Sequence, residues 1–414
     1  MKGRLVRGLN TAGRLLGADR LDWFDVERMV RSAKRKADVD AFEDASTLEG
    51  MSRLFDAYER EGRLTLAGKV ALSRDALTML TNRLTIEKTR SLNPDIARER
   101  IDRPIVVLGL PRSGTTLLHH LLAQDPRHRC PLGWEIMYPV NPESADAREA
   151  LIARAARRMA GIEWLSPGIQ RIHEMNARLP QECIAITGHT FESFLFETMC
   201  RIPSYQRWLD ARDLTGSYEF HRRFLQHLQY REPRESGASG QQSGSPRTWA
   251  LKAPTHLHAI PALLSVYPDA RIVQTHREPT AVLPSLASLI VTLRAAFGAR
   301  PDPAEVGLEM LDRWSKAVER AAEWRDALSD GTHVWQDFSY RALMADPILT
   351  IARLYDGFGQ SLSGEAADGM RRFLADSPKG KFGVHRYSLE DFALDEEHVR
   401  EQFDLYYRRF GDYL

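Results

Sequence analysis

The segment Gly109-Leu110-Pro111-Arg112-Ser113-Gly114-Thr115-Thr116 follows directly on the apolar run Ile105-Val106-Val107-Leu108, and this adjacency restricts the fold more than any other feature of the chain. Two glycines separated by four residues and followed by short hydroxyl side chains have the frame of a phosphate-binding P-loop. The P-loop lysine, which reaches the terminal phosphates of a nucleoside triphosphate, is replaced by Thr115; the positive charge lies earlier, at Arg112. The segment keeps a device for gripping a nucleotide phosphate and lacks one for cleaving a triphosphate.

Ile105 to Leu108 are aliphatic throughout, as expected of a central parallel strand buried on both faces. Leu117, Leu118, Leu121 and Leu122 then recur at helical spacing, so strand, tight loop and helix start fall in that order. At the helix start, backbone N–H groups without a partner inside the helix point at an anion, and the helix dipole favours negative charge there. Gly109 and Gly114 permit positive φ and close backbone approach, while Ser113, Thr115 and Thr116 offer hydroxyls. A glycine-bearing turn in an ordinary βα unit is the competing reading, and the coincidence of glycines, hydroxyls, cation and context weighs against it.

Pro111-Arg112-Ser113-Gly114-Thr115-Thr116 resembles the 5′-phosphosulfate loop of sulfotransferases that use 3′-phosphoadenosine 5′-phosphosulfate (PAPS), which carry lysine or arginine at the second position of that hexapeptide. A second signature is independent of the first. The family binds the 3′-phosphate with an arginine at the end of a strand and a serine eight residues on; here Ala270-Arg271-Ile272-Val273-Gln274-Thr275-His276-Arg277 leads through Glu278-Pro279 to Ser285. Pro279 suits the first turn of a helix, and Ser285 lies about two turns into it. Arg277 can then offer its planar fork to a phosphate that the serine hydroxyl also touches. Further on, Ser377-Pro378-Lys379-Gly380-Lys381-Phe382-Gly383 resembles the basic-glycine loop that closes over the same phosphate; Lys379-Gly380 matches its lysine-glycine pair, and Pro378 stands where the family often has arginine. The following His385-Arg386-Tyr387-Ser388-Leu389-Glu390-Asp391-Phe392 resembles a stretch of the bacterial branch.

The resemblance spans roughly residues 100–392. It implies an α/β fold, a P-loop-type parallel sheet flanked by helices, here with a helical N-terminal extension. It also implies a PAPS-dependent sulfotransferase acting on a hydroxyl or amine of a small or lipidic acceptor, with PAPS along residues 109–116 and its 3′-phosphate held by Arg277, Ser285, Lys379 and Gly380. Sulfuryl transfer needs cations at the leaving phosphate and a base at the acceptor; no metal is expected, and no metal-ligand spacing is found. Arg112 is the first candidate cation and Lys252 the second. In Leu251-Lys252-Ala253-Pro254-Thr255-His256-Leu257 the lysine and the Thr-His-Leu resemble a family lysine-threonine-histidine stretch whose histidine is the base, with Ala253 and Pro254 interposed. Another branch uses a glutamate soon after the P-loop helix, where Glu135 of Gly133-Trp134-Glu135 sits. A neutral histidine suits a base at pH 7 without adjustment, whereas a glutamate needs burial or a hydrogen-bond network. His256 is therefore ranked before Glu135, with Glu182 third; a capping histidine and structural glutamates are the competing readings. Trp335 falls near a family aromatic that approaches the adenosine, and Leu117 replaces the tryptophan that the cytosolic branch carries after the loop threonines.

The 414 residues suit two to three domains, or one α/β domain with an extension; 43% hydrophobic and 27% charged residues describe a chain able to bury a large core. A formal net charge of +1 supplies no overall field to attract nucleic acid, and none is expected as a partner. Cys130, Cys183 and Cys200 leave one thiol over in any disulfide scheme, so a reducing, cytoplasmic location is expected. No run approaches the ~20 apolar residues of a membrane span. The basic start Met1-Lys2-Gly3-Arg4-Leu5-Val6-Arg7 lacks the core of a secretory signal. A docked helix is expected over Leu5 to Leu16, with peripheral membrane contact left open. Residues 1–98 read as a helical region, starting one helix at the capping-box pattern Ser46-Thr47-Leu48-Glu49, with Met51, Leu54, Phe55 and Tyr58 on one face. Residues 99–414 read as the sulfotransferase domain. Within it, 136–231 is a helical insertion shaping the acceptor site, its aromatics read as core. Residues 232–248, rich in Gly, Ser, Gln and Pro, read as a flexible loop. Strands are expected near 249, at 270–276 and at 332–335, with helices from about 256, from 279 and over about 303–328. Two alternatives stand beside this reading: a P-loop kinase or NTPase, disfavoured by the missing lysine and the Arg277–Ser285 pair, and a catalytically silent binder of 3′-phosphoadenosine nucleotides. The dimerisation motif of cytosolic sulfotransferases is not evident, and oligomeric state is not legible.

Overall fold

Ile105, Val106, Val107 and Leu108 are all inaccessible to water, and they alternate between two packed clusters. Ile105 and Val107 face Leu118, Leu121, Leu122, Ile351 and Leu354; Val106 and Leu108 face a larger cluster with Leu251, Ile272, Leu283 and Phe224. That period of two is what a strand between two layers of helix requires. β1 (Ile105–Gly109) is the middle of a five-stranded sheet with β2 (His128–Arg129), β3 (Thr248–Lys252), β4 (Arg271–His276) and β5 (Val334–Ser339). The order is β2-β3-β1-β4-β5 and every pairing is parallel. From β1 the chain passes through helix Thr115–Leu122 to the edge at β2, returns to β3, and then crosses β1 to reach β4. The strand order therefore reverses around β1. In open α/β sheets ligands bind outside the carboxyl ends at such a reversal.

The computed structural model describes residues 22–140, 142, 144–165, 176–230, 247–328, 333–376 and 387–414. Lys379 and Gly380, the Leu5–Leu16 segment and nearly all of the 232–248 loop lie outside the described residues.

Among the described residues three α-helices, Val26–Ala37, Ala45–Arg60 and Leu66–Leu92, precede the sheet. Met51, Leu54, Phe55, Tyr58, Leu80 and Leu84 are buried in the same cluster as Val106 and Leu108, so these helices share a core with the sheet. The second helix starts earlier than the capping-box pattern implies. Its N-cap is Asp44, whose carboxylate accepts from the Thr47 amide at 3.0 Å and pairs with the buried Arg83. A carboxylate caps as well as a serine and also meets the helix dipole favourably. Ser46 instead donates to Glu192 at 2.7 Å. Helix Leu66–Leu92 is fastened by Thr65, whose amide and hydroxyl both donate to Phe297 O, at 3.0 and 3.1 Å. Gly68 makes this approach fit, because a Cβ there would lie 1.7 Å from Phe297 O.

In the 136–231 stretch Phe191, Phe194, Phe196, Tyr205, Tyr218, Phe220 and Phe224 are buried, as the core reading of these aromatics expects. Helix Pro279–Phe297 is long and apolar enough to cross a membrane, but it packs as a core helix and carries Ser285 on a buried position. β5 begins and ends later than the local pattern suggests, because its extent is set by pairing with β4 from Arg271–Val334 to His276–Ser339.

Two outcomes follow from this packing. Gly68→Ala is expected to destabilise by about 1–3 kcal/mol through backbone overpacking, measured by urea unfolding. Burial also holds His189, His221 and His256 neutral, with pKa values lowered to about 4, 3 and 3. The unfolded chain takes up protons near pH 6.5 and the folded one does not, so stability is present above that pH and is lost as pH falls below it. At pH 5 each of these groups removes about 2 kcal/mol relative to pH 8; the pH dependence of Tm checks this.

Candidate active site

The loop after β1 is shaped by contacts with β4. Gly109 has φ 140° and pairs with Thr275, where a Cβ would lie 2.4 Å from the Thr275 carbonyl oxygen. Gly114, at φ 93°, is the N-cap of helix Thr115–Leu122 and could gain a Cβ only against Leu343 and Tyr340. Between them Arg112 adopts φ 66°, a left-handed conformation that costs a non-glycine residue about 1 kcal/mol and recurs at functional sites. It is held there by Arg277, whose Nη1 donates to the Arg112 carbonyl at 2.6 Å. Ser113 donates to Leu110 O at 2.5 Å and lies 2.6 Å from Thr275 Oγ1. Its hydroxyl thus ties the loop to β4, a role different from the anion contact expected of it. Pro111 and Thr115 are buried in the loop, and Thr116 is exposed at the helix start. Among the described residues no side chain caps this helix, whose first-turn amides have no partner within the helix itself.

The next strand supplies the second part. Arg277 leaves the end of β4 and lays its guanidinium over the Tyr340 ring, 4.2 Å from the centroid. Ser285 is buried in the following helix; its hydroxyl accepts from Arg112 Nε at 3.1 Å and lies 2.7 Å from Tyr387 OH. Arg277 and Ser285, paired by their spacing, are brought together through Arg112, which the sequence reading places at the transferring group instead. Tyr340 and Tyr387 join them without having been singled out. Tyr387 belongs to a stretch whose resemblance was noted, but its partner lies 102 residues away.

β3 supplies the third part. Its last residue is Lys252, in register with Val107 and only 3% exposed along its side chain. A buried ammonium must be paired. Lys252 Nζ donates to Thr116 Oγ1 at 3.2 Å and to Glu182 Oε1 at 2.5 Å. Glu182 directly precedes the short helix Cys183–Thr187 and keeps a side-chain exposure of 24%. The third-ranked candidate base thus shares its lysine with Thr116 at the start of the helix.

The two first-ranked bases have other partners. Glu135 is buried in helix Gly133–Met137; one oxygen accepts from Arg129 Nη2 at 3.0 Å and the other from the Leu132 amide at 2.9 Å. Arg129 stacks in turn on Trp249 at 4.6 Å. Glu135 fastens the strand-to-helix turn here. His256 is 2% exposed in the 3-10 turn Pro254–His258; its Nδ1 lies 2.6 Å from Tyr218 OH, and its Nε2 has no hydrogen-bond partner among the described residues. Burial, reinforced by His221 and Lys252, pushes its pKa down to about 3. With Cys183, Thr187, Phe194 and Tyr218 it lines a cavity of about 20 Å³, room for one water. Trp335 lies within β5, its ring covered by Arg325 at 4.4 Å. Among the described residues no cluster of His, Cys, Asp and Glu is placed to hold a metal ion.

The family model described as the sulfotransferase family matches residues 104–363. Over 326 residues, 74% of this chain and 75% of theirs, it is 27% identical to proteins of Mycobacterium bovis and Mycobacterium tuberculosis named omega-hydroxy-beta-dihydromenaquinone-9 sulfotransferase Stf3. The crystal structure of sulfotransferase STF1 from Mycobacterium tuberculosis superimposes with a TM-score of 0.76 at 31% identity, covering 92% of this chain and 98% of that one. That of sulfotransferase STF9 from Mycobacterium avium gives 0.78 at 27% identity, covering 93% and 96%.

The loop geometry predicts that Gly109→Ala is poorly tolerated, since it combines an unfavourable φ with a backbone clash against β4. A loss of about 3 kcal/mol or more is expected in chemical unfolding, and a loss below about 1 kcal/mol would contradict this loop geometry.

Proposed function

The chain belongs to the sulfotransferase family and is a sulfotransferase; we propose that its donor is PAPS and its acceptor a hydroxyl (or amine) on a small or lipidic molecule. One observation carries the donor assignment: three adjacent strands end in three anion-binding elements. These are the uncapped loop-to-helix turn after β1, Arg277 with Ser285 after β4, and Lys252 at the end of β3. A donor with phosphate groups at both its 5′ and 3′ positions engages the first two together. A nucleoside triphosphate leaves the Arg277–Ser285 set without a purpose, and the chain lacks the lysine that would serve its terminal phosphates.

The residues divide by role. Amides of Gly114, Thr115 and Thr116 and the Thr116 hydroxyl receive the 5′-phosphosulfate. Arg277 and Ser285 surround the 3′-phosphate, with Lys379-Gly380 assigned to it by sequence. Arg112 and Lys252 carry the positive charge that stabilises the leaving phosphate. No step needs a metal. The hydroxylated menaquinone derivative in the name of the mycobacterial relatives supports an apolar, hydroxyl-bearing acceptor here. The three free, buried cysteines suit a reducing, cytoplasmic setting.

Thermal unfolding with adenosine 3′,5′-bisphosphate, AMP and ATP–Mg²⁺ tests the donor. At ~100-fold over Kd the bisphosphate is expected to add about 2.7 kcal/mol, and Arg277→Ala to abolish that gain. Stabilisation by ATP–Mg²⁺ with indifference to the 3′-phosphate would overturn the reading.

A further inference from the structure

We infer that Glu182 is the base that removes the acceptor's proton and that Lys252 positions it, an inference that rests on the sulfotransferase reading above. Lys252 Nζ is bonded at once to Thr116, at the start of the anion-binding helix, and to Glu182. A single ammonium therefore separates this carboxylate from the place where the 5′-phosphosulfate is received. The pair is also unequally exposed: Lys252 is sealed in at 3%, whereas Glu182 retains 24% and is the end that an incoming hydroxyl can reach.

The other two candidates lack that combination. Both oxygens of Glu135 are held by Arg129 and the Leu132 amide, and the carboxylate is shut away from water. His256 is only 2% exposed and borders a cavity of about 20 Å³, and burial makes it a weak proton acceptor. The backbone at Glu182 is fixed from a distance as well. Pro180 forms an antiparallel bridge with Leu132, and the Gln181 amide donates to Pro131 O at 2.9 Å. Glu182 is thereby anchored to the segment that follows β2. Directly after it comes helix Cys183–Thr187, inside the stretch expected to shape the acceptor site.

The chemistry follows from one cation shared between two anions. With the donor bound, Lys252 is drawn toward the phosphosulfate and its hold on Glu182 weakens, which raises the carboxylate's affinity for a proton. As the acceptor oxygen bonds to sulfur, its proton passes to Glu182. The bond from sulfur to the bridging oxygen breaks, and its electron pair remains on the 5′-phosphate of adenosine 3′,5′-bisphosphate, where Lys252 neutralises it. The sulfate ester, the bisphosphate and one proton are the products.

The test measures PAPS consumption against pH, with farnesol as the probe acceptor and with water alone, for wild type, Glu182→Gln, Glu182→Asp and His256→Asn. Bisphosphate binding is measured in parallel. Glu182→Gln is expected to lower turnover about 100-fold or more and to erase the acidic limb of the pH profile, while binding the bisphosphate within about threefold of wild type. Glu182→Asp, which keeps the charge on Lys252, is expected to retain that limb at reduced rate. This variant decides the matter if the glutamine variant fails to fold. His256→Asn is expected to retain the limb. An acidic limb that survives in Glu182→Gln, or that is lost in His256→Asn, overturns the inference. So does a wild type that binds the bisphosphate yet consumes no PAPS with either acceptor, since no proton transfer would then need a base. Failure of the wild type to bind the bisphosphate would instead strike the donor assignment.

Discussion

β1 has sheet partners on both edges and packed helices on both faces, so its only open direction is out of its carboxyl end. Everything functional here depends on that confinement. The strand must turn at once into a loop, and the loop must be narrow because Thr275 of β4 stands beside Gly109. Only glycine fits there, and only a left-handed Arg112 brings the chain round to Gly114 and the helix start. The neighbouring strands end at the same level, which is why Lys252 and Arg277 arrive on either side of the loop although 25 residues separate them.

Three cations meeting at one edge of a chain with a net charge of +1 is an electrostatic problem before it is a binding site. Each is handled differently. Arg277 rests on the Tyr340 face and donates to a loop carbonyl. Arg112 donates to Ser285. Lys252, the most deeply buried, takes a full counter-charge from Glu182. These are polar or π partners for which an anionic nucleotide can compete, and positioned charge of this kind strengthens as water is excluded. The helical N-terminal segment contributes no charged group to this edge among the contacts described; it completes the core that holds the sheet rigid.

Much of the site was legible because its parts are local. A strand, a glycine turn and a helix start occupy a dozen consecutive residues, and Arg277 with Ser285 sits within a single loop-and-helix step. The parts that escaped have distant partners. Tyr387 reaches Ser285 across 102 residues, and Ser113 turns its hydroxyl to Thr275 across 162. Likewise Asp44 takes the capping role from Ser46, a choice settled by Arg83 packing against it.

By itself the sequence determined the class of sheet, the glycine loop after β1 and the arginine–serine spacing, since hydrophobic period, glycine placement and helical spacing act over a few residues. Only the tertiary structure decided which carboxylate stands beside the loop. Read along the chain, His256 and Glu135 rank ahead of Glu182; in the fold the first is buried, and Arg129 with the Leu132 amide holds the second. Glu182 is selected by a lysine 70 residues away. The physical reason is that a buried ammonium must find a counter-charge wherever the folded sheet delivers one, and no local pattern records where that will be.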